Sequence, residues 1–456
     1  MKQISTLRLT FVTAALFMTL RNMPMMAITG MQMFFFNILT AFFFLIPVAL
    51  VSAELATGWP KAEGVFHWVR IGFGDRIGFM ATWLQWLQSM FGMASILAYI
   101  GTTIAYIVDQ SLANNPWFIF FSIVAVYWIL TVDNFFGTNI STKISSWALI
   151  IGVIFPTILL ISFGVYDFWT TKEIVMNTRI STENLLPNLG EQNRLVMLMG
   201  FIFGYVGIEV SANDANLIPN PSKSYPKAIF SAVLLVFIST LLGALSIAIK
   251  IPQDQISESA GVMQIFELYL KKHQLGFITP WIAGLVAFGT AGQVSTWVIG
   301  PADGLHQASE RGDFFSFFKK DNKYDVPKRL LIFQAIVLSV ISIAVLLLND
   351  VNTAFFWLTS LAVILYALMY ILLFLTAIKL RYTHKDQVRP YRIPFGNIGI
   401  WIVSFCGLAV ITLCLLVGFI PLDSVNENLK PWYPIIMGLM ALTCVSVGLI
   451  IFHKSK

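Results

Sequence analysis

Long apolar runs alternate with short polar joints along the whole chain, and the runs are too uninterrupted to be the inner faces of soluble helices. Hydropathy places about twelve of them, at residues 9–33, 36–57, 77–108, 116–132, 143–166, 194–217, 228–249, 278–308, 329–348, 353–378, 399–420 and 433–452. A helix needs roughly 20 mostly apolar residues to cross a bilayer, and most runs reach that length. The pattern predicts an all-α integral membrane protein, because in lipid a helix bonds its own backbone groups internally.

Two runs are interrupted in an orderly way. The first, FVTAALFMTLRNMPMMAITGMQMFFF, carries Arg21 and Asn22 near its middle and Pro24 just after them. At about 1.5 Å per residue, Arg21 falls near the midplane of a hydrocarbon layer roughly 30 Å thick. A central arginine costs roughly 2.5 to 3.5 kcal/mol to insert, so it is expected to face a protein interior or a wet cavity. The competing reading, a snorkelling side chain at the interface, is disfavoured by the apolar sequence on both sides. Pro24 removes a backbone donor and disfavours helix at Met23.

The sixth run, GFIFGYVGIEVSANDANLI, has Gly200, Gly204 and Gly207 followed by Glu209 and Asp214. The breaks lie five spans apart, an odd number. They therefore predict two repeats of opposite membrane orientation, about 9–166 and about 194–378, with two appended helices at about 399–452, all in a single membrane domain. Glycine and proline also serve ordinary close packing in membrane helices, so it is their matching positions that carry the weight.

Composition agrees: of 456 residues, 57% are hydrophobic and 11% charged, against roughly 25% charged in soluble domains. The first run is long and has no small-residue cleavage site, so it is expected to stay as a membrane helix. The net charge of +6 reflects topology and not a nucleic-acid partner. With the N-terminus inside, the 29 Lys and Arg divide into 21 on cytoplasmic segments, 7 on external ones, and Arg21 in the membrane. Both termini are then cytoplasmic. Cys406, Cys414 and Cys444 lie in apolar runs and are expected to pack. His67, His273, His306, His384 and His453 are scattered, which suggests no metal site. No phosphate-binding G-x-x-x-x-G-K-[ST] string, nucleophile elbow or metalloprotease helix occurs, so neither direct ATP drive nor enzymatic catalysis is expected, and no cofactor is implied.

The stretches AELATGWPKAEGVFHWV, LLPNLG, YVGIEVSANDANLIPNPSKSYPKAI, LSIAIKIPQDQISESAGVMQIF and STWVIGPADGLHQASERG run along most of the chain. They resemble the amino acid, polyamine and organocation transporter superfamily, and within it the bacterial glutamate/γ-aminobutyrate antiporter family. The GVMQ loop and WVIGP are the more specific to the antiporter branch. The resemblance implies a LeuT-like inverted five-helix repeat with two added helices, in a bacterial inner membrane. It also implies exchange of one amino acid for another, or for its decarboxylated product, by alternating access. Two departures stand out. The glutamate/γ-aminobutyrate members carry a tyrosine and an acidic residue where this chain has Arg21 and Asn22. They can also carry a C-terminal plug, whereas this sequence ends in HKSK.

A zwitterionic amino acid presents a carboxylate and an ammonium, and interrupted helices can meet both. Backbone N–H groups around Asn22, Met23, Met25 and Met26 would take the carboxylate, and carbonyls around Phe203, Gly204, Tyr205 and Gly207 the ammonium. Arg21 either receives a substrate carboxylate with its planar fork or pairs with Glu209 or Asp214 and gates the route, the second being slightly favoured. The resemblance implies a gating or proton-linked role for Glu209. Trp86, Gln88, Trp297, Tyr366 and Tyr370 are candidate lining groups, with lipid-facing or packing positions as the common alternative in so aromatic a chain. A proton-coupled symporter, with Glu209 or Asp214 as proton carrier, is the alternative within transport. A sensor or a membrane enzyme that has kept a transporter fold is the alternative outside it.

Overall fold

In the computed structural model the described residues are 5–59, 64–136, 147–188, 195–210, 220–422, 425, 427 and 429–455. Among them the regular structure is helical, in the order α1 Thr6–Phe17, α2 Met23–Ala27, α3 Gln32–Gly58, α4 Val65–Phe73, α5 Asp75–Val108, α6 Pro116–Asn134, α7 Trp147–Thr171, α8 Leu198–Tyr205, α9 Pro221–Ala248, α10 Gly261–Lys272, α11 Thr279–Arg311, α12 Lys328–Leu348, α13 Val351–Thr383, α14 Gly396–Val417 and α15 Tyr433–Ser455. Ten helices among the described residues are long and apolar enough to cross a bilayer. The expected first span is instead the pair α1 and α2, and the expected sixth is represented by α8. The second span begins at Gln32, four residues ahead of its expected start, because α2 stops at Ala27.

Local chemistry explains the ends of these helices. Asn115 caps α6 by accepting from the backbone N–H of Trp117 at 3.0 Å and Phe118 at 3.2 Å, with Pro116 in the first turn. Asp350 does the same for α13 through Thr353 N at 2.6 Å. Gly312, at φ +86°, ends α11 in the left-handed conformation that glycine tolerates. Wide π-turns at Ala41–Leu45 in α3 and Ile150–Ile154 in α7 lie just before Pro47 and Pro156. Each absorbs the carbonyl that the proline cannot bond.

Helix α5 packs along both α11 and α13, and these three form the centre of the bundle. At the periphery, α6 exposes Trp117, Phe121 and Ile129, and α15 exposes Leu439, Leu442 and Ile450. Apolar side chains turned outward are what a lipid-facing surface requires. Near one end of the bundle, the buried carboxylate of Glu54 on α3 accepts from Arg381 on α13 at 2.6 Å and from Ile393 N at 2.8 Å, with Arg389 at 3.5 Å. Losing one partner of such a pair costs about 3–5 kcal/mol, so it fastens α3 to α13.

Candidate functional site

The first interruption is real. Helix α1 stops at Phe17, and residues 18–22 are non-helical before α2 starts at Met23 with Pro24 in its first turn. The freed carbonyl of Met18 accepts from Gln293 Nε2 on α11 at 2.6 Å, and Arg21 N donates to Thr19 Oγ1 at 3.3 Å. The second interruption follows Tyr205. Val206 is extended and Gly207 takes φ +109°, which a residue with a Cβ rarely adopts.

Between the two breaks lies a cavity of about 600 Å³, part of it open to the outside. Thr19 and Arg21 from the first break and Phe203 and Val206 from the second meet there with Gln88, Ser89, Gly92 and Met93 of α5, Gln293 and Trp297 of α11, and Tyr366 of α13. Arg21 is only 4% exposed. Its guanidinium lies 4.3 Å from the Phe203 ring centroid, and Nε and Nη1 have no hydrogen-bond partner among the described residues. A cation–π contact supplies about 0.5–2 kcal/mol and uses none of the in-plane N–H donors. Those donors remain available to a carboxylate.

Glu209 has a different environment. Its carboxylate is 1% exposed and accepts from the hydroxyls of Tyr366 and Tyr370, the latter at 2.7 Å. The Tyr370 hydroxyl in turn accepts from Gly207 N at 3.4 Å. No ion pair joins Glu209 to Arg21 among the described residues. The slightly favoured role for Arg21, pairing with Glu209, is therefore not the arrangement found. The tyrosines of α13 reach the carboxylate first, because α13 packs directly on α8. Asp214, the other expected partner, lies outside the described residues.

The other expected residues separate into groups. Phe203, Gln88, Trp297 and Tyr366 line the cavity with Arg21. Asn22 and Met26 close against Gly204, where an added Cβ would lie 2.9 Å from Met26 Cε and 3.0 Å from Asn22 Nδ2. Met25 fills the notch left by Gly200 and Met23 the one left by Gly243. The methionines thus serve as packing knobs and do not line the cavity, since the missing glycine side chains admit a thioether and no ligand. Tyr205 points away, its hydroxyl bonded to Asn37 Oδ1 on α3. Trp86 does not line the cavity: it donates to Gln334 Oε1 at 3.2 Å and stacks on Phe333 at 5.8 Å.

Residue-type reasoning missed Thr19, Ser89, Met93 and Gln293 as lining groups. A signal existed: Thr82, Gln85, Ser89, Gly92 and Ile96 recur at alternating steps of three and four along α5, as do Gln293, Trp297, Gly300, Gly304 and Gln307 along α11. Each is one face of a helix, carrying small and polar residues where lipid-facing positions would be apolar.

Two broken helices meeting at one cavity inside a bundle of apolar spans define a multi-pass membrane transporter. The chain belongs to the amino acid permease family, whose sequence profile it matches over residues 4–442. It is 34% identical to an uncharacterized transporter of Legionella pneumophila, over 88% of this chain and 86% of that protein. It is 31% identical to a glutamate/gamma-aminobutyrate antiporter of Lactococcus lactis, over 99% of this chain and 90% of that one. A probable agmatine/putrescine antiporter of the same species is 27% identical, over 94% of this chain and 90% of its own length.

Proposed function

We propose that the protein is an amino acid antiporter whose central cavity holds a carboxylate-bearing amino acid, with Arg21 as the carboxylate receptor. The observation that supports this most is the buried guanidinium with Nε and Nη1 unbonded, in a cavity wall between two helix breaks. An unpaired cation in hydrocarbon is costly, and a bound anion removes that cost. The relatives named as antiporters act on glutamate with γ-aminobutyrate, or on agmatine with putrescine. Arg21 favours the first pair, because a diamine would meet like charge and leave the fork unfilled.

In this reading residues of about 9–166 and about 194–378 are the two inverted repeats, and both breaks belong to their first helices. Glu209, held by Tyr366 and Tyr370, ties the second break to α13 and has to be rearranged when the cavity changes sides. The excess of Lys and Arg on alternate loops supports cytoplasmic termini in a bacterial plasma membrane, and the protein acts by transport without catalysis.

The test is counterflow in proteoliposomes. Labelled glutamate should enter only when glutamate or γ-aminobutyrate is inside, with internal pH unchanged. Uptake into empty vesicles accompanied by acidification would replace exchange with proton symport. Arg21→Ala should insert normally and lose exchange; wild-type kinetics would remove Arg21 from the site.

A further inference from the structure

Trp297 lines a second cavity as well as the first. This one holds about 860 Å³, part of it open to the outside. It continues along the same faces of α5 and α11, reaching Thr82, Gln85, Thr296, Gly300, Asp303 and Gln307. These positions lie toward the start of α5 and the end of α11, beside Gly64–Phe66, which follows α3. Since α1 and α2 cross in one direction and α3 returns, the second cavity lies on the side of the membrane where the chain enters α1.

Its chemistry differs from that of the central cavity. The described residues that line it include one carboxylate, Asp303, and no lysine or arginine. Asp303 makes no hydrogen bond or ion pair among the described residues. The neighbouring His306 directs its ring nitrogens to other groups, with Nδ1 at 3.0 Å from Phe318 O and Nε2 at 3.2 Å from Asp321. One turn further along α11, the buried Oε1 of Gln307 has no partner either. Gly300 faces open space, with nothing within 4 Å of where its Cβ would stand. Pro301 lacks an N–H, so the carbonyl of Trp297 loses its intrahelical donor at the boundary between the cavities.

Three acceptors thus lie along one helix face of this cavity: the Asp303 carboxylate, the Gln307 amide oxygen and the Trp297 backbone carbonyl. The buried Gln307 Oε1 without a donor costs about 1–3 kcal/mol, and a group with three N–H donors meets it together with the half-buried Asp303 carboxylate. We propose that the second cavity is a binding station for the primary ammonium group of the transported solute, with Asp303 and Gln307 as its acceptors. The proposal rests on the exchanger reading. It adds a separate stop beyond Trp297, reached when the solute leaves Arg21 toward the side of the chain's N-terminus. The carboxylate is held at one station and the ammonium at the next, so release from Arg21 does not expose a bare charge to the apolar wall.

The discriminating probe is n-butylamine, an ammonium without a carboxylate, with thermal unfolding of the purified full-length protein as readout. Butylamine should raise the apparent melting temperature of wild type and of Arg21→Ala alike. Asp303→Asn should need about tenfold more for the same shift, and Asp303→Glu should restore part of it. Gly300→Leu, which fills the cavity and leaves the carboxylate in place, should abolish the shift. Equal shifts in wild type and Asp303→Asn, or none in wild type, overturn the station.

In proteoliposomes, Asp303→Asn should raise half-saturation for γ-aminobutyrate about tenfold from the N-terminal side only, with the maximal rate unchanged. An equal rise from both sides also overturns it. Absence of exchange in wild type would sink the exchanger reading, while the butylamine shift still decides the role of Asp303.

Discussion

The two helix breaks carry opposite charges and resolve them in opposite ways. At the first, the chain opens between Phe17 and Met23, and Arg21 is left with in-plane donors unbonded at the cavity. At the second, Gly207 bends the backbone and Glu209 is taken up by Tyr366 and Tyr370. Arg381 is a third case: it is equally buried and its Nε and Nη1 are likewise unbonded, but its Nη2 is paired with the Glu54 carboxylate at 2.6 Å, a partner Arg21 lacks among the described residues. A charge at membrane depth marks a binding site only when the surrounding helices leave it a vacancy. Where they supply partners, the same kind of group becomes a fastening between helices.

The comparison can be broken most directly at the first break. Truncating one member of a buried charge pair costs about 2–5 kcal/mol, so Arg21→Ala should weaken glutamate exchange by roughly 30-fold to several thousandfold. Arg21→Lys, which keeps the charge and loses the fork, should fall between. Equal rates for all three proteins would erase the distinction between the breaks. At the second break, Gly207→Ala forces a Cβ onto φ +109°. The strain, on the order of 1–3 kcal/mol, should lower the apparent melting temperature, and an unchanged melting curve would mean the bend is not required.

Tyr370→Phe removes one hydroxyl from Glu209 while Tyr366 remains. A net loss of about 0.5–1.5 kcal/mol is expected, seen as a modest fall in stability with half-saturation for glutamate unchanged. A large change in half-saturation would put Glu209 in contact with substrate. The smallest effect should come from Met23→Leu, a swap close in volume against Gly243. Exchange should stay within about twofold of wild type, as for a packing residue, and a loss beyond tenfold would return the methionines to the site.

Periodicity and composition in the sequence were enough to determine a multi-pass helical bundle, because burial in lipid leaves the backbone few alternatives. They also located both interruptions, since Pro24 and Gly207 act on their own backbone. Of the residues singled out in the sequence, Arg21, Phe203, Gln88, Trp297 and Tyr366 line the cavity: Arg21 and Phe203 because each sits at a helix break, the others as polar or aromatic groups in apolar spans. Which charge is satisfied was not legible, because Tyr366 and Tyr370 are more than 150 residues from Glu209. Nor was the fate of Met23, Met25 and Met26, which depends on glycines of helices far along the chain. Pairing between distant segments is set by how helices cross, and only the tertiary structure decided that Arg21 Nε and Nη1 are left unbonded at the cavity among the described residues while Glu209 is held.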